Sequence, residues 1–402
     1  MDSSRSPRVL LVLPQLPQDP AAGAPRSLTN ICEILAASGF CVRALAVTAS
    51  ESRKLLKPEA ALRNLGIEFS VERRKRPEYR FQHRGVSFRL IDVAGLSVIS
   101  WQSVFDQVFD IAFDEELRDF QPNVIFTYGG LPGDLRRHER AQKSGAKVVF
   151  GLRNEFYLST SDWHRHIDAF LTPSHFLSKL YKDAIGIDTD PIPTPMELSD
   201  VITEEHDPIF LTIINPSFQK GVTLFATLAE ELSNARPELP ILVIESRGGA
   251  GLLAEVANSG GFDLRRHENI MFSPSVPQPK DIYAPTRILV APSLCNEAGG
   301  RVVAEALMNG IPPLVSDRGA LSEYAGGAGF TFHVPEEITP ATRKPVPVAV
   351  VQPWIETIVR LFDDENFYRA ECEKARNAAK RFSPEVLAPE YVKYFLKIIA
   401  CG

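Results

Sequence analysis

The 402-residue sequence predicts an α/β protein of two domains, each a parallel sheet with helices on both faces. Three observations carry this expectation. Apolar runs of strand length alternate with segments of helical periodicity, the pattern of repeated βα units. The alternation restarts after a proline-rich stretch near residue 190. The length also exceeds what one hydrophobic core usually supports.

Taken in order, residues 8–13 (Arg-Val-Leu-Leu-Val-Leu) read as a buried strand ended by Pro14, and 28–38 as a helix closed by Gly39. Strands follow at 42–47, 124–127, 147–150 and 169–172. Trp101, Phe105, Phe109 and Phe113 recur every four residues and read as the packed face of a helix. Asp190-Pro191-Ile192-Pro193-Thr194-Pro195 disfavours helix and reads as an extended linker, so the domain boundary is expected at 195–207. Beyond it come strands 209–214, 241–244, 288–291 and 313–316 with helices 223–232 and 301–308. Two last helices are expected at 353–362 and 384–399, the second with Val386, Leu387, Tyr391, Tyr394, Phe395 and Ile398 at packing intervals. The expected division is 1–200, 201–380 and a C-terminal helix within 381–402.

Composition narrows the class. A hydrophobic fraction of 44% and a charged fraction of 23% are those of an ordinary globular enzyme. Net charge of −6 argues against nucleic-acid binding. Five cysteines without paired metal-ligand spacing suit a reducing cytosol. No apolar run reaches the roughly 18 residues of a membrane span, and no signal-peptide core follows the N-terminus. The expected location is cytoplasmic.

Residues 291–307, Ala-Pro-Ser-Leu-Cys-Asn-Glu-Ala-Gly-Gly-Arg-Val-Val-Ala-Glu-Ala-Leu, carry the chemistry. A glycine-containing loop with a carboxylate, Glu297, runs into a helix holding a second carboxylate, Glu305. The first N–H groups of a helix lack intrahelical partners and carry partial positive charge, and Gly299 with Gly300 lets a ligand approach the backbone. Such a start binds phosphate. Two carboxylates beside it must face uncharged hydroxyls, which points to a nucleotide-sugar.

This run resembles the retaining glycosyltransferases of the GT-B fold, in particular glycosyltransferase family 4. The shared pattern is Glu297, Gly300 three residues on, Glu305 after seven intervening residues, and Ala306, followed by Asn309-Gly310-Ile311-Pro312 and by Glu323 and Gly329. It departs where Gly299 stands in place of the usual Phe. The resemblance implies two facing Rossmann-like domains with an interdomain cleft, the first for the acceptor and the second for the donor. It implies that Glu297 holds sugar hydroxyls, that the backbone at Gly299, Gly300, Arg301 and Val302 lines sugar and phosphate, and that Glu305 grips the ribose diol. Lys220, in Asn215-Pro216-Ser217-Phe218-Gln219-Lys220-Gly221, matches the family lysine that clamps the diphosphate, while Asn215 stands where the family has Arg. Arg247 or Arg301 is then a candidate for the missing charge, since arginine suits bidentate phosphate contacts.

In the first domain, Gly23 occupies the place of the family's glycine loop, and Arg153, Asn154 or Glu155 that of a histidine contacting the donor sugar. His164 and His166 read as surface groups of a helix. Arg73-Arg74-Lys75-Arg76 is the densest basic run, either a solvated loop or a contact with the anionic inner face of the membrane. The expected function is metal-independent transfer of a hexose from a nucleoside diphosphate, UDP first, to a hydroxyl acceptor, with no cofactor. The rivals are a phosphorylase, a sugar-nucleotide epimerase, or a non-catalytic sugar-nucleotide-binding subunit.

Overall fold

The computed structural model describes residues 6–17, 19, 22–50, 57–246, 248–274, 276 and 278–400. The chain divides into two compact units. The first comprises Met1–Pro173, Ser178–Pro195 and Pro384–Gly402; the second comprises Ser174–Leu177 and Met196–Ser383.

In the first unit the strands are β1 (Arg8–Leu13), β2 (Cys41–Val47), β3 (Ser70–Arg73), β4 (Pro77–His83), β5 (Val86–Ile91), β6 (Val124–Thr127), β7 (Lys147–Gly151), β8 (Ala169–Thr172) and β9 (Asp190–Pro191). They form one sheet in the order β3-β4-β5-β2-β1-β6-β7-β8-β9. Strand side chains alternate between two apolar clusters because successive residues point to opposite faces. Val9, Leu11 and Leu13 meet the helices Gly23–Ala37 and Pro384–Ala400 through Leu28, Ile31, Leu35, Leu387, Tyr391 and Phe395. Leu10 and Val12 meet Phe109 and Phe113 of the helix Gln102–Phe120.

The expected parallel sheet is corrected at its edge, while residues 74–76 of the basic run form a bend between β3 and β4, exposed at Arg74 and Lys75. β4 runs antiparallel to β3 and β5. Its two-residue connection to β5, Arg84 and Gly85, has φ of +45° and +79°, the left-handed pair a type I′ hairpin requires. The strand signal was hidden because charges occupy positions that face the interior. Arg89 on β5 is buried and gives two hydrogen bonds, of 2.8 and 3.0 Å, to Glu78 on β4. Arg89 also donates to Glu115 at 2.7 Å, so its buried charge is shared among carboxylates of β4 and of the helix Gln102–Phe120. Of the basic run, Arg73 ends β3, Arg74 pairs with Glu115 at 3.0 Å, and Arg76 pairs with Asp92 at 2.9 Å. Likewise, the stretch expected as a linker begins as β9, paired with β8.

In the second unit β10 (Phe210–Ile214), β11 (Ile241–Ile244), β12 (Ile270–Ser273), β13 (Thr286–Ala291), β14 (Pro313–Ser316) and β15 (Phe330–Phe332) form a parallel sheet in the order β12-β11-β10-β13-β14-β15. One face packs on the helices Val222–Ala235, Ala250–Ser259 and Val348–Asp363, with Trp354 fully buried. The other packs on Arg301–Met308 and Glu365–Ala379. Among the described residues no helix is long and apolar enough to cross a membrane.

Candidate functional site

In an open parallel sheet, ligands bind past the carboxyl ends of the strands where the strand order reverses. In the second unit that point lies between β10 and β13. The segments leaving these strands, 215–221 and 292–300, touch there. Gly221 makes the contact possible: its φ is +78°, and a Cβ would stand 1.9 Å from the Pro292 carbonyl oxygen. The Gln219 carbonyl then accepts the Leu294 N–H at 2.9 Å. Lys220 and Glu297, one from each segment, are thereby brought into an ion pair between Nζ and Oε1. The same oxygen accepts the Ser293 hydroxyl at 2.6 Å. Their side chains are 31% and 16% exposed, so the pair is open to a solute.

The loop carrying Glu297 is held from several sides within this unit. Gly319 has φ of +64°, and a Cβ there would fall 2.2 Å from the Glu297 nitrogen. Ala320 donates its N–H to the Glu297 carbonyl at 2.8 Å, and Ser174 its hydroxyl to the Ala298 carbonyl at 2.6 Å. A Cβ at Gly300 would meet Tyr324 Cβ at 2.7 Å, so the chain enters the next helix in close packing. That helix, Arg301–Met308, starts at Gly300 without a side-chain cap. Its first N–H groups and its positive dipole end remain available to an anion.

Inside the helix Glu305 is buried. Arg301 donates Nε–H to its Oε1 at 2.7 Å, and Tyr283 donates its hydroxyl to Oε2 at 2.8 Å. Burial first, and then the Glu305 charge, raises the Tyr283 pKa well above that of an ordinary phenol, so the hydroxyl keeps its proton. Arg301 Nη1 is buried with no hydrogen-bond partner.

The structure thus brings Lys220, Glu297, Gly299, Gly300, Arg301, Val302 and Glu305 to one end of the second sheet. Asn215 sits at the same end with its side chain committed. Its φ is +58°, which asparagine tolerates better than most residues, and its Oδ1 accepts the Gly248 N–H at 2.8 Å. It fastens the turn after β11 to the turn after β10. Arg247, in that turn, lies outside the described residues. Among the described residues no group of three or more His, Cys, Asp or Glu side chains is arranged to hold a metal ion.

Gly23, Arg153, Asn154 and Glu155 belong to the first unit. Gly23 is not in a loop after β1: it is the first residue of the helix Gly23–Ala37, which begins five residues before the expected start at 28. The apolar run by itself begins at Leu28, whereas Pro25, in the first turn where proline is tolerated, marks the earlier start. Asn154 follows β7, exposed, with Oδ1 accepting the Phe156 N–H at 3.0 Å and its carbonyl accepting the Tyr181 hydroxyl at 2.8 Å. His164 and His166 lie in a turn rather than a helix. Sequence reasoning missed Tyr283, whose role comes only from contact with Glu305. It also missed Gln15 and Tyr128 at the first unit's own strand-order reversal, between β1 and β6. Tyr128 donates its hydroxyl to Gln15 Oε1 at 2.6 Å, and Gln15 Nε2 is buried without a partner.

Residues 197–341 match the family model described as Glycosyl transferases group 1. Among curated proteins none matches this sequence. Solved structures share the fold over nearly the whole chain. The catalytic domain of starch synthase IV from Arabidopsis thaliana, bound to ADP and acarbose, superposes with a TM-score of 0.70 at 12% identity, covering 98% of this chain and 100% of that one. Sucrose-phosphate synthase from Thermosynechococcus elongatus gives 0.68 at 15% identity, covering 99% and 100%. HepE from Anabaena, in complex with UDP-glucose, gives 0.66 at 13% identity, covering 97% and 99%. The fold is GT-B.

Proposed function

We propose that this chain, a GT-B protein carrying a glycosyl transferases group 1 segment, is a retaining glycosyltransferase that moves a hexose from a nucleoside diphosphate to a hydroxyl acceptor. The observation that supports it most is the conjunction at the β10/β13 reversal: an uncapped helix start behind two glycines, in the same loop as the Glu297 that pairs with Lys220. Breaking a sugar–phosphate bond leaves growing negative charge on the diphosphate. Lys220 and the amides of 299–302 are stationed to meet that charge, with Arg301 at the same helix start. Glu297, anchored by Ser293, is assigned to the sugar hydroxyls, and Glu305 to the ribose.

The remaining features follow the resemblance. The acceptor attacks the face from which the phosphate departs, and that phosphate takes its proton. No metal takes part in this scheme, the first donor to try is UDP-glucose, and the first unit holds the acceptor, with Arg153, Asn154 and Glu155 as acceptor or sugar-contact candidates. The site of action is cytoplasmic, with Arg73 and Lys75 available for an anionic membrane surface. The test is calorimetric titration with UDP-, GDP-, ADP- and TDP-sugars against wild type and Glu305→Ala. Saturable binding of one base, lost in the variant, is expected. No binding of any would overturn the reading.

One observation favours a second reading, a non-catalytic sugar-nucleotide-binding subunit. Asn215 stands where the family has arginine, and its side chain is occupied by Gly248. A chain of that kind would bind donor yet neither transfer nor hydrolyse it.

A further inference from the structure

The donor-site reading of the second unit is the premise for one contact that goes beyond it. Tyr283 closes the short helix Lys280–Tyr283 before β13 and is fully buried among Leu289, Ala306 and Ile311. A buried phenol needs a partner for its hydroxyl, and an apolar cluster supplies none. The hydroxyl is directed instead at Glu305 Oε2, 2.8 Å away, while Arg301 Nε donates to Oε1 at 2.7 Å.

An ionised carboxylate offers about four lone-pair sites, two on each oxygen. Tyr283 and Arg301 occupy one on each oxygen. The pair of bonds fixes the carboxylate plane and leaves one acceptor on Oε1 and one on Oε2. Two acceptors held side by side match two adjacent hydroxyls better than one. The Arg301 guanidinium stands beside the buried carboxylate as its ion-pair partner.

We propose that Tyr283 is a positioning residue that holds Glu305 as a two-point acceptor for the 2′,3′-diol of a ribonucleotide, so that the donor is a ribonucleoside rather than a 2′-deoxyribonucleoside diphosphate sugar. A site built to accept a hydroxyl rejects an analogue lacking it, because the buried acceptor is left unpaired. The discrimination depends on the carboxylate being held still.

The experiment titrates the full chain with UDP, ADP and GDP, and with dUDP, dADP and dGDP. It compares wild type, Tyr283→Phe and Glu305→Gln. Wild type is expected to bind the best ribonucleotide at least about tenfold more tightly than its deoxy counterpart, as loss of one hydrogen bond to a charged group implies. In Tyr283→Phe the ribonucleotide is expected to weaken while the deoxynucleotide does not, so the ratio falls towards one. KM for the donor is expected to rise with kcat little changed, whereas a general loss of packing would lower both affinities alike. Equal binding of ribo- and deoxynucleotides by wild type overturns the proposal without any variant, as does a Tyr283→Phe chain that keeps the wild-type ratio. Absence of binding by all six nucleotides overturns the donor reading itself, and the positioning role with it.

Discussion

Replacement of Asn215 separates two energies that the structure superimposes at one residue. Asn215 holds a left-handed conformation, φ +58°, and its buried side chain accepts the Gly248 N–H at 2.8 Å. Asn215→Asp keeps both the acceptor and the tolerance for positive φ, and is expected to cost under about 1 kcal/mol. Asn215→Gly relaxes the backbone but leaves the Gly248 N–H unsatisfied, a cost of about 1–2 kcal/mol. Asn215→Ala suffers both losses, since a Cβ in the left-handed region adds roughly 1–2 kcal/mol, giving about 2–4 in total. For a unit of this size each kcal/mol moves the midpoint by about 2–4 °C, so alanine should lower the melting temperature by about 4–16 °C. Differential scanning calorimetry reads the series. The expected order of stability is Asp, then Gly, then Ala. Alanine as stable as glycine would remove the backbone argument, and aspartate as damaging as alanine would remove the hydrogen-bond argument. Restoring the family residue, Asn215→Arg, should destabilise as alanine does rather than improve donor binding.

Three further outcomes are expected. Gly221→Ala places a Cβ against the Pro292 carbonyl, 1.9 Å away, and must part the two loops that carry Lys220 and Glu297; both donor affinity and melting temperature should fall, read by calorimetry with and without UDP-glucose. Lys220→Ala should lower kcat by about 100-fold or more, the usual loss when one charge-stabilising donor is removed, with the melting temperature moving by only a few degrees. An unchanged kcat would remove Lys220 from the reaction. In the first unit, burial above all, with Arg137 adding and Asp134 opposing, lowers the pKa of His138 from its ordinary 6.5 to about 4. Between those values the unfolded chain takes up a proton that the folded chain refuses. The stability from the neutral, buried ring is therefore complete above pH 6.5 and is lost as pH falls towards 4, at about 1.4 kcal/mol per pH unit. Urea titrations from pH 7 to 4 should show that slope in wild type and a flatter one in His138→Leu.

The local pattern of the chain determined a good deal by itself. Apolar runs such as Val-Leu-Leu-Val-Leu at 9–13 and Ile-Leu-Val-Ile at 241–244 read as buried strands of a sheet covered on both faces, and β1 and β11 lie there. The Gly299-Gly300 junction with an amphipathic stretch after it specified the helix Arg301–Met308 and its uncapped start, since both depend on residues adjacent in sequence. Where a side chain's environment comes from a distant segment, periodicity was silent. The β4–β5 hairpin carries no apolar alternation at Glu78 and Arg89, whose burial rests on their pairing with each other and on that of Arg89 with Glu115 and Glu116 from a distant helix. Asn215 read as a lost arginine, whereas the packing of two turns shows it holding Gly248. Tyr283 and Glu305, 22 positions apart, carry no local mark of one another; their hydrogen bond exists because β13 and the helix after it are folded together, and a buried hydroxyl must find its acceptor across that distance.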